Sequence, residues 1–190
     1  MCPELQNLVS HFAAGAVGDI VKTQTTYLDI VCSQLGEPSK CTATYRIHFD
    51  GKRDFSLAKG TFTSFALVEK HPLLLEYTEP FKDIYLASLV SDKQKFITDL
   101  RFAAIEIFNG WRALERYANS MPLDELLAKR YGLLMSAPVS FAQLVMQVAE
   151  KSGVALNTLD GARLNGEKPR ALLLDAWYVV ADNFRAELLT

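Results

Sequence analysis

The chain has little of what disulfide frameworks and metal sites require. It contains three cysteines, none in a CxxC pair, and three histidines, none at metal-ligand spacing from a cysteine. The cysteines are Cys2, Cys32 and Cys41. This odd, widely spaced set suits a reducing compartment, in which we expect Cys32 and Cys41 to be small packing residues. The sequence therefore predicts no metal site, and it gives no signal for a cofactor.

An excess of charge of one sign is also missing. The 20 basic and 22 acidic residues are interleaved along the chain and give a net charge of −2. This balance provides no electrostatic footprint for nucleic acid or for an anionic membrane surface. We therefore expect neither of them as a partner.

Long hydrophobic runs are absent as well. The most apolar stretch, residues 172–181, is interrupted by Asp175 and is shorter than the roughly 20 residues that span a bilayer. The first residues, Met1–Leu5, have neither the basic start nor the apolar core of a secretory signal. From these features we expect a soluble, cytoplasmic protein.

The common motifs of enzyme chemistry do not occur. The sequence has no GxGxxG, no GxxxxGK[ST], no HExxH, no GxSxG and no EF-hand loop. It therefore does not favour the usual nucleotide-binding, zinc-protease or hydrolase reactions, and no motif identifies a family.

What is present is the composition of a globular protein. Hydrophobic residues make up 49% of the chain and charged residues 22%, and 190 residues suffice for one sizeable core. The spacing of apolar residues predicts a single α+β domain over residues 1–190. It consists of a helical segment at 1–36, an antiparallel β-meander at 41–90 and a helical segment at 91–190 that packs on the sheet.

The first segment has the apolar spacing of helices. A stripe from Leu5 to Ile20 predicts a helix over Pro3–Val21, with the proline in the first turn. A second helix is predicted over Thr25–Leu35, and a strand through Thr26–Val31 is the alternative.

In the middle segment the apolar period changes to two, which is typical of strands separated by turns. Five strands are predicted, at Thr42–His48, Lys52–Ala58, Thr61–Glu69, Leu73–Tyr77 and Phe81–Leu89.

The first predicted hairpin has a three-residue loop with Gly51 in the left-handed conformation. This register pairs Tyr45 with Phe55 on one face and Arg46 with Asp54 on the other. The third and fifth strands are apolar on both faces, so they need a second cover from helices, from another subunit or from a ligand-lined cavity.

Helices are predicted for most of the C-terminal half. They span 92–119, 122–131 and 138–151, and a last one begins near Pro169. The first of them has apolar residues on its far side, Phe102, Ile105 and Phe108, with Arg112 among the arginines around them. We interpret this second face as an interface.

Candidates for acid–base chemistry are few. His48 is expected beside Arg46 and Asp54 on one face of the first hairpin, where a carboxylate could tune its pKa, although the same group also suits an ordinary charged surface. Glu106, flanked by Ile105 and Ile107, could act as a general base if it were buried, but its helical angle favours a solvated position.

Two hypotheses for the function are consistent with these patterns. The first is a non-enzymatic module that self-associates, for example as a homodimer, or binds a partner protein through the second apolar face. The alternative is a pocket protein, either a binder of a small apolar ligand or an enzyme, with its pocket between the meander and the covering helices. The predicted lining of that pocket is Tyr45, Phe55, Phe65 and Tyr77.

Overall fold

The computed structural model describes residues 2–34, 43–162 and 168–189, with mixed α and β structure and antiparallel sheets. The chain divides into two compact units, Met1–Leu74 with Glu167–Thr190, and Leu75–Gly166. That all 190 residues form one domain stays a prediction. None of the helices in the described residues has the length and the apolar content that crossing a bilayer requires.

The elements are numbered along the chain. The helices are α1 Pro3–Ala13, α2 Leu75–Thr78, α3 Lys93–Phe108, α4 Leu123–Ala128 and α5 Val139–Lys151, with 3-10 turns at Pro72–Leu74 and Leu114–Arg116. The strands are β1 Ala16–Thr23, β2 Tyr27–Gln34, β3 Ala43–Asp50, β4 Asp54–Ser56, β5 Gly60–Phe62, β6 Ala66–Val68, β7 Phe81–Leu86, β8 Gly132–Pro138, β9 Leu156–Asp160, β10 Arg170–Leu174, β11 Trp177–Ala181 and β12 Asn183–Leu188.

The first unit contains two antiparallel sheets and α1. One sheet has the order β12-β3-β2-β1-β5 and the other has the order β4-β11-β10-β6. Both sheets and α1 contribute to one apolar core, which includes Leu8, Ile47 and Val179. Gly18 lies where the packing is tightest, because a Cβ at this position would overlap the rings of Phe62 and Phe12.

The second unit contains a three-stranded antiparallel sheet, β8-β7-β9, and the helices α2 to α5. α3 packs against α5, and α5 packs against β7 and β8. Asp92 caps α3 by accepting a hydrogen bond from the Lys95 amide at 2.9 Å. The core of this unit includes Ile84, Phe108 and Phe141.

The N-terminal prediction is correct for α1 and wrong for the residues after it. The helix ends at Ala13, and Gly15 adopts a positive φ of 90° before β1 begins. In the segment predicted as a helix at 25–35, Tyr27–Gln34 forms β2, so the helix is wrong and the alternative strand is confirmed from Tyr27 onward. β1 shows the alternation of a half-buried strand, with Ile20 inside and Asp19 outside.

The predicted five-strand meander is wrong in its pairing. β3 lies between β2 and β12, whereas β4 pairs with β11 in the other sheet, so Tyr45 does not pair with Phe55. Gly51 has the predicted left-handed conformation, with φ 64°, but it leads the chain from one sheet into the other. The strand predicted at Thr61–Glu69 is divided into β5 and β6, and residues 72–78 form helical turns.

The C-terminal half is less helical than predicted. α5 agrees with its predicted span, and Gly153 comes after it with a φ of 64°. The helix predicted from Pro169 is wrong, because this segment forms β10, β11 and β12. Asp175 makes the turn between β10 and β11 in the left-handed conformation, at φ 51°. Strands buried on both faces give nearly continuous apolar sequence, which resembles a buried helix.

Candidate functional site

A groove between α3 and α5 combines apolar and charged side chains. Its volume is about 340 Å³. Apolar contacts come from Phe102 and Ala103 of α3 and from Leu144 and Val148 of α5, and the polar lining includes Lys95, Asp99, Glu106 and Lys151. We call this surface, together with Ile105 beside it, the α3 surface.

The periodicity of α3 explains why this surface is exposed. Phe96, Leu100 and Ala104 repeat at helical spacing and are buried in the core of the second unit. Phe102 lies on the opposite side of the helix and is 64% exposed, and Ile105 is 56% exposed. Two large apolar side chains thus extend into solvent at neighbouring positions of one helix.

The charges on the α3 surface balance. Lys95 Nζ donates to Asp99 Oδ2 at 2.6 Å, and this hydrogen bond raises the pKa of Lys95. Glu106 and Lys151 have no ion-pair partner among the described residues. Two cationic and two anionic side chains therefore surround an apolar centre, so the surface has no net charge.

The four residues predicted to form an interface do not lie on one exposed surface. Phe102 and Ile105 are exposed, but Phe108 is fully buried and Arg112 is 5% exposed. Phe108 lies at the edge of the buried side of α3. Arg112 is no longer on the helix, because α3 ends at Phe108 and the next residue, Asn109, is left-handed with φ 48°.

Arg112 instead belongs to a buried ion cluster that was not predicted from the sequence. Its Nη2 donates to Glu76 Oε1 at 2.8 Å, and Arg116 Nε donates to Glu76 Oε2 at 2.8 Å. The ring of Tyr117 stacks on Phe108 at 4.9 Å between centroids, and burial raises the pKa of the Tyr117 hydroxyl. This cluster joins α2 to the segment after α3, so we interpret its role as structural.

The acid–base candidates do not form one site. Arg46 makes a two-pronged ion pair with Asp29, at 2.8 and 3.0 Å, and its guanidinium lies 4.3 Å from the centroid of the Tyr27 ring. His48 Nε2 lies 3.1 Å from Glu187 Oε1. These contacts join cross-strand neighbours on the outer face of the five-stranded sheet. They are possible only because β3 lies between β2 and β12.

The other two candidates lie elsewhere. Asp54 is in β4 of the second sheet, where Tyr178 donates a hydrogen bond to Asp54 Oδ2 at 3.3 Å. Glu106 is exposed in the lining of the α3 surface and therefore lacks the burial on which its role as a general base would depend.

The four aromatic residues predicted to line a pocket do not converge. Tyr45 and Phe65 are 6% exposed and belong to the core of the first unit, where the Phe65 ring stacks on Phe12. Phe55 is 49% exposed, with Lys52 Nζ 4.1 Å from its ring centroid. Tyr77 is half-buried in α2 of the second unit.

The part of the chain that the structure describes holds no cluster of three or more His, Cys, Asp or Glu side chains that could bind a metal ion.

No protein-family model, no curated protein and no solved structure matches the chain. The geometry of the α3 surface is therefore the main guide to function.

Proposed function

We propose that this protein is a non-enzymatic module that self-associates as a homodimer through the α3 surface. The observation that carries the proposal is the order of charges along α3. Lys95 lies in the first turn and Glu106 in the last, with the exposed Phe102 between them on the same side of the helix.

This order is self-complementary under twofold symmetry. Lys95 and Glu106 are eleven residues apart, so they are separated by about 16 Å along the helix axis. When two α3 helices pack antiparallel about a twofold axis, Lys95 of each copy lies opposite Glu106 of the other. A twofold contact requires such a patch, because the same surface is used by both subunits.

The apolar residues suit the centre of this contact. Phe102 is close to the midpoint between Lys95 and Glu106, so the Phe102 rings of the two copies meet near the axis. Ile105 and the apolar wall from Leu144 and Val148 lie beside them. A buried aromatic centre with a charged rim is the usual anatomy of an interface.

Sedimentation velocity on the full chain, over a range of concentrations, tests the proposal. We expect the wild type to change from monomer to dimer with increasing concentration, and Phe102→Glu to remain a monomer with an unchanged circular dichroism spectrum. Phe55→Glu is the matched control, because Phe55 is similarly exposed but lies in the first unit. A monomeric wild type, or equal effects of the two substitutions, contradicts the proposal.

Charge reversal tests the antiparallel arrangement separately. Each dimer contains two Lys95–Glu106 pairs, and an exposed pair contributes about 0.2–1 kcal/mol. Loss of both pairs costs about 0.4–2 kcal/mol, so Lys95→Glu or Glu106→Lys should raise the dissociation constant by roughly 2- to 30-fold, and the double variant should restore it.

The monomer should tolerate both substitutions. An acidic residue is favourable near the start of a helix, and a basic residue is favourable near its end. Loss of dimer without rescue in the double variant argues against the antiparallel arrangement.

A further inference from the structure

A second depression lies on the three-stranded sheet of the second unit. It has a volume of about 720 Å³ and is lined by residues of β7 and β9 and by the start of β8. This volume is in the range of small-molecule sites, which is about 300–1,000 Å³. The depression shares no lining residue with the α3 surface.

The polar side chains of this depression have unused hydrogen-bonding capacity. They belong to Tyr85, Tyr131, Asn157 and Thr158, and none of them makes a side-chain hydrogen bond to another described residue. The Asn157 amide offers both a donor and an acceptor, and the hydroxyl groups offer either role. A ligand with several hydroxyl groups could therefore be bound from more than one direction.

The depression is also apolar and uncharged. Tyr131 is 76% exposed and Leu159 is 60% exposed, although such large side chains are usually at least partly covered. No Asp, Glu, Lys or Arg is among its described lining residues, whereas 22% of the whole chain is charged. A charged ligand would find no counter-ion here, so the surroundings match a neutral ligand.

The backbone next to Tyr85 is irregular. Ile84 pairs with Met135 and Tyr85 pairs with Leu133, which leaves Leu134 as an extra residue in β8. Such a β-bulge changes the direction of neighbouring side chains and is common beside binding sites. The bulge gives a second observation, independent of the side chains, that points to the same place.

We propose that this depression binds a neutral saccharide, with a sugar ring stacked on Tyr131 and its hydroxyl groups bound by Asn157 and Tyr85, which are paired across β7 and β9 and so share one face of the sheet. A sugar has an apolar ring face and a polar edge, and a tyrosine ring together with an amide that lines the same depression complements both. The site would add ligand binding to a module that self-associates through a different surface.

NMR titration of the isotope-labelled full chain tests the site. The probes are glucose, galactose, mannose, N-acetylglucosamine, maltose and lactose, each at millimolar concentration. We expect at least one probe to shift the amide signals of β7, β9 and the start of β8. Tyr131→Ala and Asn157→Ala should each weaken that binding by about tenfold or more, and Phe55→Ala should leave it unchanged.

Three results would overturn the proposal. They are the absence of shifts with every sugar, binding that survives both substitutions, and shifts caused by an extended uncharged peptide but by no sugar. Tyr131 and Asn157 are exposed, so their truncation leaves the core intact, and Asn157→Asp gives a second variant that changes only the polar group. None of these three results changes what is expected in the sedimentation experiment, so failure of the saccharide site can be distinguished from failure of self-association.

Discussion

Removing the carboxylate of Glu76 should destabilise the second unit strongly. The side chains of Arg112 and Glu76 are only 3% and 10% exposed, and their closest atoms are 2.8 Å apart. Replacing one partner of a buried ion pair typically costs about 3–5 kcal/mol, because the other charge stays buried. Glu76→Gln keeps one oxygen that can accept a hydrogen bond, so we expect a loss of about 3 kcal/mol.

The chain contains a matched control for this substitution. Arg101 and Glu115 form the same type of ion pair at 2.9 Å, but their side chains are 59% and 56% exposed. Exposed pairs contribute about 0–1 kcal/mol, so Glu115→Gln should change the free energy of unfolding by less than about 1 kcal/mol.

Denaturant unfolding, monitored by circular dichroism, measures both effects. The midpoint for Glu76→Gln should fall well below that of the wild type, and the midpoint for Glu115→Gln should stay close to it. Equal losses for the two variants, or a gain in stability for Glu76→Gln, would refute the view that burial decides the strength of this cluster.

Three further predictions concern the first unit. Asp175 accepts hydrogen bonds from the backbone amides of Thr63 and Ser64, each at 2.8 Å. Asp175→Gly removes these bonds but tolerates the positive φ, so it should lower the free energy of unfolding by about 1–2 kcal/mol in denaturant unfolding. Asp175→Ala should lower it more, because alanine is also strained at a positive φ. Partial burial acts to raise the pKa of the Asp175 carboxyl, but the hydrogen bonds outweigh it and hold the pKa below its ordinary value of 3.8. The stability that this carboxylate contributes is therefore present above pH 3.8 and is lost as the pH falls through the lower pKa of the folded state. If the stability lost on substitution does not become smaller in acid, this reasoning is contradicted. Gly51→Ala should lower the melting temperature, since a Cβ there would overlap Asp182, and an unchanged melting temperature would show that the corner rearranges freely. Burial raises the pKa of Cys32 to about 12, so an alkylating reagent at pH 8 should modify Cys32 only after denaturation. Mass spectrometry of the labelled peptides measures this. Rapid labelling of Cys32 in the folded chain would be inconsistent with its burial.

Local signals predicted some elements well because their interactions lie within the element. α5 has a continuous stripe with Phe141, Val145 and Ala149 on its buried side, and Gly153 lies just beyond its end. The end of α3 had a local signal too, since Asn109 and Gly110 are both left-handed, but the helix was predicted to continue through them.

The order of the strands depends on contacts between distant parts of the chain. β3 pairs with β12, whose residues are separated from it by more than a hundred positions, and no local pattern contains that information. In β10 and β11 almost every residue is at least half-buried, so the alternation that identifies a strand disappears. The ion pair of Arg46 with Asp29 was missed for the same reason, because it needs the β2–β3 register.

The apolar part of the α3 surface was the most predictable part of the candidate site. Phe102 and Ile105 lie within one helix, and its period alone places them on the far side from the core. The contribution of α5 to the groove could not be predicted, because the packing of α3 on α5 is a tertiary contact.

Mixing two charge-reversed variants tests the central claim most directly. Lys95→Glu gives two acidic ends to α3, and Glu106→Lys gives two basic ends, so in an antiparallel dimer each variant repels its own copies. We predict that, at a concentration close to the wild-type dissociation constant, sedimentation velocity shows each variant alone as mainly monomer and an equimolar mixture of the two with at least the dimer fraction of the wild type. A mixture that remains monomeric at concentrations at which the wild type is dimeric would contradict self-association through antiparallel α3 helices.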